Sequence, residues 1–258
     1  MTNTYAPILL FVYNRPEHVR RNIQALLKNE LAAESELFIY SDAAKDETSQ
    51  AAVKEVRAFI RSIQGFKKIT ITERAENWGL ARSIIDGVTT QINRYGRVIV
   101  LEDDLVVASF LQFMNDALET YRDEERVGHI QACDLLMTLS ARYFLIKWTG
   151  SWGWGTWDRA WKHFNADGKA LLTELESRKL TYTFDFNGKY GYTRMLRRQI
   201  EGKNNSWAIR WNASLFLKAY SRLTSGNRWC KTKDSMEAVP TAAEEDCTHP
   251  NCTWSDFL

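Results

Sequence analysis

Val98-Ile99-Val100-Leu101-Glu102-Asp103-Asp104 runs four apolar residues straight into three carboxylates. An apolar run without polar alternation suits a strand covered on both faces, as in the middle of a parallel sheet. Ligands of open α/β sheets collect just beyond the carboxyl ends of such strands, so the acids stand where a bound group would be. Adjacent carboxylates repel one another unless a positive charge neutralises them. A hard divalent cation that also holds a diphosphate takes one or two carboxylates together with phosphate oxygens. An acidic loop on a solvated edge is the other reading of these seven residues alone.

Working outward, Pro7 to Val12 is a first apolar strand, and Asn14-Arg15-Pro16 turns it into a helix carrying Val19, Ile23, Leu26 and Leu27. Proline is at home in a first helical turn. Glu36 to Asp42 is a second strand that also ends on an acid. A helix from Glu47 to Gln64 follows, with Ala52, Val56, Phe59, Ile60 and Ile63 as its apolar face. Lys68 to Thr72 is a third strand, and Asn77 to Arg82 leads into a helix with Ile84, Ile85, Val88 and Ile92 before the strand Arg97 to Leu101. This β-α-β-α-β-α-β order over residues 1–104 predicts an α/β fold with a Rossmann-like half and a mostly parallel central sheet flanked by helices. Neither G-x-G-x-x-G nor G-x-x-x-x-G-K-[S/T] follows a strand, which disfavours a dinucleotide enzyme and a P-loop. A nucleotide bound here must be held by side chains and a metal.

Downstream, Leu111, Met114, Leu118 and Tyr121 mark a helix and Val127 to Gln131 a strand. Between Tyr143 and Trp161 stand Trp148, Trp152, Trp154, Trp157 and Trp161, interleaved with Gly150, Gly153 and Gly155. Tryptophan alternating with glycine predicts a loop whose indole faces wall a pocket. Trp152 and Trp154 are read as that wall, and Trp157 and Trp161, four apart, as ordinary core packing. Helices over Leu171 to Leu175 and Tyr192 to Ile200 flank an aromatic turn at Phe184 to Gly188, and an apolar helix or strand runs from Ser206 through Leu217.

With 258 residues, 45% of them hydrophobic, the chain suffices for one large α/β domain. A formal charge of +2, with no basic run, argues against nucleic acid as a partner. No apolar stretch reaches the roughly 18 residues that span a bilayer, and no signal-peptide pattern opens the chain. The reading is a cytoplasmic protein, with peripheral contact at the inner membrane face left open. Cys133, Cys230, Cys247 and Cys252 form no disulfide framework, and Cys247, His249 and Cys252 lack the second ligand pair of a structural zinc site.

Taken together, these pieces resemble nucleotide-sugar-dependent glycosyltransferases of the A-type (GT-A) fold, specifically a bacterial group of family-two-like sugar transferases. They are more distantly similar to the animal N-acetylglucosaminyltransferases with a Glu-Asp-Asp metal motif. The resemblance covers roughly residues 5–218 and is carried by four segments. These are Pro7 to Pro16, Glu102-Asp103-Asp104, Ser151 to Trp157 with Arg159-Ala160-Trp161, and Tyr192 to Leu196 with Ser206 to Trp211. It implies a hexosyl- or N-acetylhexosaminyl-transferase of surface polysaccharide synthesis. The donor would be a nucleoside-diphosphate sugar, the acceptor a glycan or lipid-linked glycan, and the cofactor Mn2+ or Mg2+. Asp104 would be the metal ligand, Glu102 and Asp103 would contact the donor, Asp42 the nucleotide base and Arg82 the phosphates or sugar. Asn14 and Arg15 share that rim and either touch the nucleotide or shape the turn.

For the catalytic base, Asp158 is the first choice, with Asp185 and Glu201 as alternatives. Residues 1–221 are read as one catalytic domain, with a nucleotide-binding half 1–104 and an acceptor half 105–221. Residues 222–258 form an atypical tail, either disordered or the product of a reading frame shifted near Lys218 to Ser225. The rival functions are a nucleotidyltransferase and a catalytically inactive sugar- or nucleotide-binding protein on the same fold.

Overall fold

The computed structural model describes residues 5–103, 106–107, 110–132, 143–225 and 230–231. Its first half alternates as β1 (Ile8–Val12), α1 (Pro16–Leu26), β2 (Glu36–Ser41), α2 (Glu47–Arg61), β3 (Lys68–Glu73), α3 (Gly79–Tyr95) and β4 (Arg97–Glu102). After β5 (Val106–Val107) come α4 (Phe110–Thr120), β6 (Val127–Gln131), β7 (Tyr143–Ile146), β8 (Trp154–Trp157) and α5 (Asp158–Trp161). The chain continues through α6 (Gly168–Ser177), α7 (Thr181–Phe184), α8 (Tyr192–Ile200), α9 (Trp207–Leu217), β9 (Ser221–Ser225) and β10 (Cys230–Lys231).

Eight strands form one sheet in the order β3-β2-β1-β4-β8-β6-β9-β7. Six point the same way, and β8 and β7 are opposed. The expected α/β architecture with a mostly parallel sheet is therefore met. The chain builds outward from β1 to β3, then crosses back through α3 to place β4 on the other side of β1. That reversal opens a crevice at the carboxyl ends of β1 and β4, the usual ligand position in such sheets.

Alternation along the strands separates two cores. Ile8, Leu10, Leu37, Ile39, Ile99 and Leu101 pack toward the face covered by α1, α2 and α4. Leu9, Phe11, Phe38, Tyr40, Val98 and Val100 pack toward α3, α5 and α9. Burial on both faces is what continuous apolar strands require. Helix α9 is itself a middle layer: Trp207, Trp211 and Leu215 meet the sheet, while Ile209, Ala213 and Phe216 meet α6, α7 and α8. Two buried asparagines lock the first face. Asn29 Oδ1 accepts from the backbone N–H groups of Phe110 and Leu111, capping α4, and Asn22 Nδ2 donates to the Glu102 carbonyl.

Two expectations change. Trp154 belongs to strand β8, pairing with Val100 and Gln131, and its indole is fully buried against His129, Trp207 and Trp161. It is core and walls no pocket, whereas Trp157 and Trp161 are core as expected. The boundary expected between 221 and 222 falls inside β9, which pairs with both β6 and β7 and buries Arg222 and Leu223. The rest of the tail, 226–229 and 232–258, lies outside the described residues, as do Cys133, Cys247, His249 and Cys252.

Leu223→Asp places a carboxylate in the core and should cost about 3 kcal/mol or more, unfolding much of the protein. Urea denaturation checks this, because an unstructured tail beginning at 222 would leave the midpoint unchanged. A second outcome concerns His129, which is buried on β6 with Nδ1 accepting from the Trp211 indole. Burial holds its pKa well below 6.5, and Arg222 lowers it further against a smaller opposing pull from the Gly150 backbone. Above that value both folded and unfolded chains are neutral there, so the residue is silent. Below it the unfolded chain takes up a proton that the folded chain refuses, and stability falls by up to about 1.4 kcal/mol per pH unit. His129→Asn, whose Oδ1 can replace the Nδ1 acceptor, should flatten the stability profile between about pH 5 and 6.5. Urea midpoints measured across that range decide it, and an unchanged slope would count against the buried neutral imidazole.

Candidate active site at the carboxyl ends of β1, β2 and β4

Register sets the geometry. Phe11 lies beside Glu102 and Val12 beside Ser41, so the residues after β1 are flanked by Asp42 on one strand and Asp103 on the other. With neighbouring strands about 4.8 Å apart, these two backbone positions stand roughly 10 Å from each other. A cleft of about 400 Å³ opens between them. Its lining includes Tyr13, Asn14 and Arg15 after β1, Tyr40, Asp42 and Lys45 from β2 onward, Asn77, Gly79, Leu80 and Ser83 at the start of α3, and Glu102 and Asp103.

Asp42 is buried and its carboxylate collects three backbone donors. Oδ1 accepts from Ala43 at 3.0 Å and Trp78 at 2.8 Å, and Oδ2 accepts from Gly79 at 2.7 Å. It therefore caps α3, whose own N-cap residue, Trp78, makes no side-chain cap. Gly79 enters that helix with φ +72, a left-handed conformation natural to glycine, while nothing crowds its missing Cβ. Asn77 Nδ2 donates to the Ala43 carbonyl at 2.7 Å, and Arg57 donates to the carbonyls of Asp42 and Arg74, so both loops are pinned. On the other wall, Arg15 pairs with the buried carboxylate of Asp103. The Tyr13 hydroxyl accepts from the Lys45 backbone N–H at 3.0 Å. Tyr40 receives a hydrogen bond from Gln91, and burial pushes its phenol pKa up. The Ser83 hydroxyl is buried beside the cleft with no hydrogen-bond partner among the described residues.

Of the residues singled out in the sequence, Asn14, Arg15, Asp42, Glu102 and Asp103 come together here. Asp104 lies outside the described residues. Arg82 is on the first turns of α3, but its guanidinium lies 3.8 Å over the Trp78 ring and pairs with Glu76, outside the lining. Trp152 is 37% exposed and also outside it. Its neighbour Gly153 packs where a Cβ would meet Phe110 and Leu101, which puts Trp152 near the end of β4.

The structure places the three base candidates away from this cleft. Asp158 follows β8, which runs antiparallel to β4, and its backbone N–H bonds to the Gly96 carbonyl at the opposite end of β4 from Glu102. At about 3.3 Å per residue that is some 20 Å from Glu102. Asp185 accepts from the Thr193 backbone N–H and thus caps α8. Glu201 is in solvent, paired with Lys203, and that partner lowers its pKa. None of the three lines the cleft. Tyr13, Lys45 and Ser83 were missed. Tyr13 had a signal, since it follows the first strand at the level of Asp42, but Ser83 looks like any helical serine.

The carboxylates and open rim suit a hard divalent cation, which accepts oxygen ligands from one or two acids and a phosphate. Among the described residues no group of three His, Cys, Asp or Glu side chains converges.

No protein-family model matches the chain, and no curated protein matches it in sequence. Among solved structures, it is similar to a mannosyltransferase from Pyrobaculum calidifontis in complex with GDP-Man and Mn2+, at 16% identity and a TM-score of 0.35, over 51% of this chain and 36% of the other. A mouse xyloside xylosyltransferase in its apo form aligns at 14% identity and a TM-score of 0.34, over 50% and 53% of the two chains. A cytidylyltransferase from Leptospira borgpetersenii aligns at 13% identity and 0.37, over 67% and 64%. The chain thus spans about a third to two thirds of these proteins, and all three are remote.

Asp42→Asn exchanges one acceptor oxygen for an NH2 group facing a backbone donor, leaving at least one buried N–H unpaired. The expected cost is about 2 kcal/mol, or a Tm lower by roughly 4–8 °C. Thermal unfolding without ligand tests it: an unaltered Tm would mean that Asp42 does not hold α3.

Proposed function

We propose that the chain is a metal-dependent glycosyltransferase that moves a sugar from a nucleoside-diphosphate sugar to a hydroxyl of a glycan or lipid-linked glycan acceptor. The reading rests chiefly on one observation: Asp42 and Asp103, on the strands flanking β1, line a single cleft together with Arg15, Lys45 and the start of α3. The resemblance carried by the Glu-Asp-Asp, Trp/Gly and Ser206 to Trp211 segments supports the transferase class.

In this reading the nucleoside lies along the β2 side of the cleft, where Tyr13, Tyr40 and Asn77 offer aromatic and amide contacts. Asp42 has its carboxylate committed to three backbone donors, so it shapes this wall and has limited capacity left to read a base. The diphosphate lies toward β4. Bound there through Asp104 and phosphate oxygens, Mn2+ or Mg2+ would neutralise the charge of the leaving nucleoside diphosphate. Arg15 pairs with Asp103 and so offsets the charge of that carboxylate at the rim where the diphosphate would lie. Trp152 presents an exposed indole near the end of β4 for the sugar face.

Calorimetric titration with UDP and GDP, with and without Mn2+, should show binding that requires the metal. Asp104→Ala should weaken that binding at least about tenfold, equivalent to 1.4 kcal/mol. Undiminished metal-dependent affinity in the variant would remove Asp104 as the ligand. Absence of nucleotide binding in the unaltered protein would remove the transferase reading. Slow release of UDP or GDP from the matching nucleotide sugar separates a transferase from an inactive binding protein.

A further inference from the structure

We infer that the turn joining α7 to α8 docks the protein onto an anionic lipid surface. Residues 178–203 carry seven Lys and Arg against two acidic residues, a local charge of +5 in a chain whose total is +2. The remainder of the chain therefore carries a net charge of −3, from 27 basic and 30 acidic residues, so the net positive charge comes from this segment. Lys179, Lys189, Arg194 and Arg198 are exposed and form no salt bridge among the described residues.

Three large aromatics are exposed in the same segment: Tyr182 at 66%, Phe186 at 44% and Tyr190 at 52%. They are held together by the turn. Phe186, Asn187 and Gly188 are successive left-handed residues, and a Cβ on Gly188 would come within 3.0 Å of the Tyr182 ring. Tyr190 contacts Tyr192 with ring centroids 4.5 Å apart, and the Arg194 guanidinium lies over Gly191. Beneath the turn, Trp148 meets the Phe186 ring at 4.3 Å and donates its indole N–H to the Phe184 carbonyl. The aromatics are thus presented on a supported platform and lose little freedom on docking.

Tyrosine and phenylalanine flanked by lysine and arginine match a membrane–water interface, where the rings enter the headgroup level and the cations meet anionic headgroups. A second copy of the chain is a poor occupant, because a two-fold contact would set +5 against +5. The inference is independent of the nucleotide reading, since no residue of the cleft takes part in it.

Co-sedimentation with phosphatidylcholine vesicles, with or without phosphatidylglycerol, tests it on the full chain. Binding should require phosphatidylglycerol and weaken as salt rises. Lys189→Glu with Arg194→Glu should reduce it roughly tenfold or more. Tyr182→Ser with Tyr190→Ser should reduce it while thermal unfolding stays unchanged. Lys28→Glu with Lys54→Glu, which changes net charge equally but elsewhere, should leave it intact. Equal binding to neutral vesicles, an equal loss in the Lys28/Lys54 control, or retention by single-stranded DNA in preference to the anionic vesicles would overturn the assignment.

Discussion

The carboxylate of Asp42 is where fold and cleft become one problem. A parallel sheet delivers its strands to a common rim, and each loop leaving that rim exposes backbone N–H groups that no strand partner satisfies. Here one buried side chain takes three of them, from Ala43, Trp78 and Gly79, and so ties the end of β2 to the first turn of α3. Without it, α3 would begin uncapped beside the crevice, because Trp78 supplies no cap of its own. The Arg57 guanidinium and the Asn77 amide bind carbonyls of the same loops, so donors and acceptors at this corner are matched. The same hydrogen bonds hold the cleft wall and join β2 to α3.

Much of the architecture was legible because burial on both faces leaves a plain signature. β1, β2 and β4 are continuous apolar runs, and their alternate residues divide cleanly between the two helical layers. The Trp/Gly segment misled for a physical reason. Large and minimal side chains alternating were read as a loop, yet in β8 Trp154 fills one face while Gly155 lets α4 approach on the other, where a Cβ would come within 2.8 Å of the Met114 methyl and 3.0 Å of the Val98 carbonyl. Strand β9 was hidden differently. Ser221-Arg222-Leu223-Thr224-Ser225 has a single apolar residue, and its place between β6 and β7 depends on partners far away in the chain.

Site residues were legible where they directly followed a strand and obscure where direction mattered. Asp42, Asn14, Arg15, Glu102 and Asp103 each lie at a carboxyl end, so identifying the strand located the residue. Asp158 also adjoins a strand, but one running the other way, and one strand length carries it to the opposite end of the strands. Sequence pattern does not reveal strand direction. Arg82 differs from these: adjacency along α3 puts it near the rim, but its guanidinium stacks on the face of Trp78 and it is not part of the lining.

A cleft whose walls are also caps and ion pairs couples ligand affinity to stability. Removing Asp42 takes a wall from the cleft and a cap from α3 together, so lower affinity after such a change does not by itself identify a ligand contact. Ser83 is the useful contrast. Its hydroxyl is buried at the same cleft, yet it bonds no other group among the described residues, so Ser83→Ala breaks no hydrogen bond of the fold described there. A ligand that bonds this hydroxyl would lose affinity in that variant with stability intact or improved, since an unpaired buried polar group is itself a cost. The difference between these two positions separates what the cleft is made of from what it is made for.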